Sequence, residues 1–147
     1  MENKVKICRF FVLTAAFALF GTAHADLVCK DDTGQEVRLK APAKRIVALA
    51  PHLAESLYAA GAGDRLVGAV DYSDYPPEAK KLPRVGGYSR IDLEAVAALK
   101  PDLVLAWESG NNMPQVEKLK ALGLTVYVSQ PNLSLIHISE PTRLLRS

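Results

Sequence analysis

Beyond an apolar N-terminal stretch, short continuous apolar runs alternate with amphipathic segments punctuated by Gly and Pro. Leu27 to Leu39 (LVCKDDTGQEVRL) comes first, as two alternating runs around Asp31-Asp32-Thr33-Gly34. Gly34 can take the positive φ of a tight turn, so a hairpin is expected. After the linker Ala41-Pro42-Ala43, Arg45 to Leu49 (RIVAL) is a continuous apolar run, which suits a strand buried on both faces. The next segment places Leu53, Leu57 and Ala60 on one helical face, with Gly61 or Gly63 to end it.

The alternation then repeats. Leu66 to Val70 (LVGAV) reads as a second buried strand, followed by Tyr72-Ser73-Asp74-Tyr75-Pro76-Pro77. Asp92 can N-cap a helix reaching Leu99 and stopping before Pro101. Leu103 to Ala106 is a third strand. Asn112 can cap a helix through Leu122, with Val116 and Leu119 on its apolar face and Gly123 ending it. Leu124 to Val128 (LTVYV) is the fourth strand. Strands alternating with helices predict an α/β domain, a Rossmann-like lobe with a mainly parallel sheet.

The two ends of the chain read differently from this lobe. Lys4, Lys6 and Arg9 precede the apolar run Phe10 to Phe20, and Ala23-His24-Ala25 supplies small residues for cleavage. Residues 1–25 therefore read as a secretory signal, with Asp26 as the mature N-terminus. The apolar run is shorter than the roughly 20 residues a membrane-spanning helix needs. Leu133 to Arg143 (LSLIHISEPTR) looks like a translated transposon-end sequencing adapter. Residues 133–147, His137 among them, are read as a non-native tail, which leaves 26–132 as the lobe and implies that the natural sequence continues beyond Asn132.

Without the signal the composition changes. All four Phe residues lie in it, and residues 26–132 hold thirteen Lys and Arg against fourteen Asp and Glu, a formal −1. No basic surface is left for nucleic acid, which needs clustered positive charge, or for a polybasic membrane anchor. Cys8 leaves with the signal and Cys29 remains. In an oxidising compartment a lone thiol is unusual, so Cys29 is either a buried small hydrophobe or half of a pair completed outside this chain.

In open parallel sheets, ligands bind beyond the carboxyl ends of the strands. Pro51 and His52 follow the first strand, Asp71 and Tyr72 the second, and Trp107, the single Trp, the third. Tyr88, in Gly86-Gly87-Tyr88, can join the same rim. Aromatic rings there supply stiff, flat contact surface; the plainer alternative is that they cap the core. Tyr58 and Tyr127 fall inside expected elements and read as packing residues. His52 can cap its helix or touch ligand. Asp71, Ser73 and Asp74 resemble weak metal ligands, though turn and capping roles account for them better. No G-x-G-x-x-G follows the first strand, and there is no Walker lysine loop or G-x-S-x-G elbow. A secreted Rossmann-like enzyme is thus a remote alternative.

Arg45 to Pro51 (RIVALAP), Tyr72 to Pro77 (YSDYPP) and Leu99 to Trp107 (LKPDLVLAW) together resemble the iron/cobalamin class, class III, of periplasmic substrate-binding proteins. The resemblance covers residues 44–129. The K-P-D-L-V block marks the superfamily, whereas YSDYPP with a Trp ending the following strand points to corrinoids. It implies two lobes joined by one long helix, of which this is the first, and a monomeric periplasmic receptor for an ABC importer. Cobalamin would be transported cargo, with no permanently bound cofactor; a ferric siderophore or haem is the alternative cargo. It implies Tyr72, Tyr88 and Trp107 as contacts to the corrin ring or its nucleotide loop, with Pro51 and His52 nearby. At Tyr88 one cobalamin receptor of this class carries Trp, a conservative departure. Glu94 matches a glutamate that docks on arginines of the membrane permease, although an acidic residue in a helix's first turn is favourable in any case.

Resequencing the locus across codon 133 should reveal a junction there; an uninterrupted reading of the same tail would return residues 133–147 to the natural protein.

Overall fold

The expected hairpin forms as β1 (Leu27–Lys30) against β2 (Glu36–Leu39), antiparallel and paired from Leu27↔Leu39 to Lys30↔Glu36. This structure is a computed structural model that describes residues 26–131. Residues 1–25, read as a signal, Asn132, and residues 133–147, read as a non-native tail, lie outside the described residues. Gly34 takes a φ of +83°. The turn is held by Asp31, whose Oδ1 accepts hydrogen bonds from the Thr33 backbone N–H, the Thr33 hydroxyl and the Gln35 N–H. A short polar side chain bonded to backbone just ahead of it is what makes Asp a turn former.

After the hairpin come β3 (Ile46–Ala48), α1 (Pro51–Ala59), β4 (Leu66–Ala69), α2 (Leu93–Ala98), β5 (Leu103–Trp107), α3 (Met113–Ala121) and β6 (Val126–Ser129). Short 3-10 turns at Gly63–Arg65 and Pro77–Lys81 fill two connections. The four later strands make one parallel sheet in the order β4-β3-β5-β6, the α/β lobe expected. Strand side chains point to alternate faces, so each apolar run serves two layers. Val47, Leu49, Val104, Ala106 and Val128 cluster with Val96 of α2 and with Val116 and Leu119 of α3. Ile46, Ala48 and Ala50 cluster on the opposite face with Leu53 and Ala54 of α1.

Local signals account for most boundaries. The Asp92 carboxylate accepts from the Ala95 N–H and caps α2. Gly61 and Gly123, both with positive φ, follow α1 and α3. Asn112 sits at the N-cap of α3 but makes no side-chain capping bond, which departs from expectation. The last strand starts at Val126 rather than Leu124, because the Leu124 N–H closes the end of α3 on the Leu119 carbonyl. Cys29 is exposed, so the reading of it as a buried hydrophobe is corrected: β1 is solvent-facing throughout. The hairpin turn instead reaches the outer edge of β6, where the Asp32 N–H donates to the Val128 carbonyl and its carboxylate accepts from the Gln130 N–H and the Ser129 hydroxyl. An otherwise unpaired strand edge is thereby partly covered.

Burial, the largest single influence on the Asp31 carboxyl, would raise its pKa, but hydrogen bonds headed by the Thr33 hydroxyl outweigh it and hold it below its ordinary 3.8. A depressed carboxyl stabilises the fold above the unfolded value and loses that contribution as pH falls through the folded value. Asp31→Ala should therefore lower the urea midpoint at neutral pH by the equivalent of about 1–2 kcal/mol, and the difference from wild type should shrink below pH 3.8.

Candidate ligand site at the carboxyl edge of the sheet

From β3 the chain winds one way to β4, then crosses back to β5 on the other side. The carboxyl ends of β3 and β5 therefore diverge into a topological switch point, the usual ligand crevice of such sheets. At the β3 end, α1 begins directly at Pro51, whose fixed φ suits the first helical position. No side chain caps α1, so His52 does not take the capping role open to it from sequence. Its ring meets Trp107 edge to face, with centroids 5.0 Å apart and planes at 85°. Trp107 is the last residue of β5 rather than the first beyond it.

Tyr88 joins from a third segment. Residues 83–86 run alongside β4, bridging Ala69 to Arg84, and the chain then reverses between Gly86 and Ile91. Gly87 and Arg90 exchange backbone hydrogen bonds, which puts Tyr88 at the tip of a tight loop. Gly86 has a φ of +89°, and a Cβ there would lie 2.6 Å from the Arg90 carbonyl oxygen; only glycine fits. Tyr88 is 45% exposed, its ring 6.2 Å from that of Trp107. His52, Tyr88 and Trp107 thus form one cluster; Pro51, half-buried, immediately precedes His52.

Two supporting residues went unnoticed in the sequence. Gly110 lies under the Trp107 indole, where a Cβ would collide with the ring. Asn111, 8% exposed, accepts from the Trp107 N–H at 2.6 Å and donates to the Leu49 carbonyl at 2.8 Å and the Tyr88 carbonyl at 2.6 Å. No helix, strand or turn pattern marks either: Gly110 matters through the placement of the Trp107 ring, and Asn111 through its bonds to Leu49 and Tyr88, which are distant in sequence.

Tyr72 stands apart from the cluster. No ring pairing links it to the other aromatics among the described residues; it is 81% exposed and has a φ of +64°. A non-glycine residue in that region costs on the order of 1–3 kcal/mol, and such strain collects at functional sites. The Arg84 guanidinium maintains it by donating to the Val70 and Ser73 carbonyls and pairing with Asp74. Ser73 is wholly buried beneath. Asp74 and Ser73 therefore serve the loop's structure, and no metal-binding group of acidic, His or Cys residues occurs among the described residues. Glu94 is exposed in the first turn of α2 and makes no salt bridge among the described residues. It borders an open recess shared with Asp71, Gly86, Gly87, Arg90 and Gln115.

Electrostatically the cluster is quiet. Burial lowers the His52 pKa below its ordinary 6.5, with Glu55 pulling weakly the other way, and its Nε2 is buried without a hydrogen-bond partner. The imidazole is neutral near pH 7, and the cluster offers ring faces and edges rather than charge, an arrangement suited to holding a large planar ligand.

A sequence model of the periplasmic binding protein family matches residues 46–136. The chain is 52% identical over 89 residues to the vitamin B12-binding protein of Vibrio cholerae, an alignment that covers 60% of this chain and 32% of that one. It thus spans about a third of the length of the curated relatives it matches. The crystal structure of a periplasmic vitamin B12 binding protein of Vibrio cholerae superposes with a TM-score of 0.58 at 52% identity, covering 60% of this chain and 35% of that one. A periplasmic heme-binding protein of Roseiflexus superposes with a TM-score of 0.56 at 31% identity, covering 59% and 34%.

A His with a depressed pKa leaves the fold at full stability above the unfolded value and weakens it as pH falls, since the unfolded chain takes up the proton first. The melting temperature should therefore fall as pH drops below 6.5, until His52 is protonated in the folded state too. In His52→Gln that component of the pH dependence should vanish, as followed by thermal unfolding between pH 8 and pH 5.

Proposed function

This chain belongs to the periplasmic binding protein family, and we propose that it is the N-terminal lobe of a receptor that captures a corrinoid and delivers it to an ABC importer without a chemical step. The observation that carries this reading is the convergence of His52, Tyr88 and Trp107 at the switch point between β3 and β5. In this reading Trp107 and Tyr88 offer rings to a flat ligand, Pro51 and His52 flank them at the start of α1, and Tyr72, exposed on its own loop, contacts the ligand separately from the cluster. The identity to vitamin B12-binding relatives supports cobalamin as cargo.

The rest of the organisation follows the same reading. Residues 1–25 direct export to the periplasm and are removed, 26–132 form the lobe, and 133–147 are not native. A second lobe, in sequence beyond this chain, supplies the opposite wall of the cleft, and the receptor works as a monomer. Glu94 docks the lobe on the permease; its exposure and freedom from any ion pair among the described residues support that use. A charge-assisted contact to an arginine is strong yet reversible, as a delivery cycle requires.

Haem is the second reading, favoured by the heme-binding structure at 31% identity. Titration calorimetry of the complete protein, expressed from the intact locus, separates the two. Saturable binding of cobalamin and not haem is expected, and Trp107→Ala should abolish most of it. Binding of haem alone would replace the cargo and retain the transport role. Unchanged cobalamin affinity in Trp107→Ala would remove the aromatic cluster from the pocket.

A further inference from the structure

We infer that Asn111 is the positioning residue of this site: one buried side-chain amide sets the relative placement of the end of β3, the Tyr88 loop and Trp107, and so of the three rings. The inference rests on the cluster being the ligand site, but the geometry behind it does not depend on which ligand binds.

An asparagine amide has two N–H donors and one oxygen. In Asn111 both donors and the oxygen are engaged, each with the backbone of a different segment. Each bond falls at or close to a ring-bearing residue. The Tyr88 carbonyl and the Trp107 N–H belong to ring residues themselves, and the Leu49 carbonyl lies just before the Pro51-His52 start of α1. The amide is buried, where an unmade hydrogen bond is costly because water cannot replace it. Displacing one segment therefore strands a donor or an acceptor; β3 and β5 are already paired in the sheet, and the amide adds the tie that holds the Tyr88 loop against both. Gly110 next to it leaves the space that the indole occupies, so the turn after β5 both admits the Trp107 ring and ties its backbone. A residue that only satisfied loose strand ends would not need to join Tyr88, whose loop pairs with the sheet separately beside β4.

Trp107 is the sole tryptophan of the 147-residue chain, so intrinsic fluorescence of this chain reports on the site without ligand. Asn111→Ala and the milder Asn111→Ser, whose hydroxyl cannot span all three partners, should shift the emission maximum to longer wavelength and reduce the near-ultraviolet dichroism. Both are read at temperatures where far-ultraviolet dichroism shows the fold intact. Gly110→Ala displaces the indole directly and shows what a moved Trp107 looks like. Leu119→Val, buried under the opposite face of the sheet, should lower stability while leaving the emission unchanged. In the complete receptor, Asn111→Ser should weaken cobalamin binding about tenfold, or 1.4 kcal/mol. Wild-type emission and dichroism in both folded Asn111 variants would overturn the assignment, and should the alanine variant not fold, the serine variant decides alone. A shifted emission with unaltered affinity would uphold Asn111 as the residue that places the rings and overturn the reading of the cluster as the ligand site.

Discussion

A strand in the middle of a parallel sheet has no face turned to water, so each side chain from Ile46 to Ala50 needs an apolar neighbour above or below. Val47, Ala48, Leu49 and Ala50 are all completely buried. Two layers of helix have to be supplied, and with the chain as short as this they come from consecutive crossovers: α1 on one side, α2 and α3 on the other. Reversing the winding direction between those crossovers is what opens the crevice beside β3. The site is thus a by-product of how the central strand is buried.

What converts an opening into a binding surface is rigidity. The aromatic rings hang from three segments, of which β3 and β5 are joined by strand pairing while the Tyr88 loop projects beyond its own pairing beside β4. Their loops are stiffened by residues with no direct part in contacting a ligand. Gly86 permits the reversal that raises Tyr88, Gly110 makes room for the indole, Arg84 ties down the strained Tyr72 loop, and Asn111 joins the other three segments. Prearranged groups lose little ordering entropy when a ligand binds, and on the proposed reading these residues supply that prearrangement.

The alternation of apolar runs with helical periodicity was enough to obtain the lobe, the number of parallel strands and the hairpin, because those depend on side-chain period and turn chemistry within short windows. Asp92, Gly34, Val116 and Leu119 were legible for the same reason. The start of β6 was misplaced because Leu124 is equally good in a strand or closing a helix, and only the hydrogen bond to Leu119 decides between them. Cys29 could not be assigned, since exposure of β1 follows from what does not pack against it.

At the site, topology put Pro51, His52, Tyr72 and Trp107 at strand ends and let Tyr88 join the same rim, and the resemblance to known receptors gave those rings their expected role as ligand contacts. Sequence by itself therefore determined the fold class, the edge of the sheet where the candidate site lies and the aromatic character of that edge. Tertiary structure decided which rings touch: His52 and Tyr88 meet Trp107, while Tyr72 stands clear of them. It also revealed Gly110 and Asn111. The reason is range: periodicity and turn propensity act over a few residues, whereas Asn111 bonds Leu49 across 62 positions and Tyr88 across 23, separations over which no local pattern carries information.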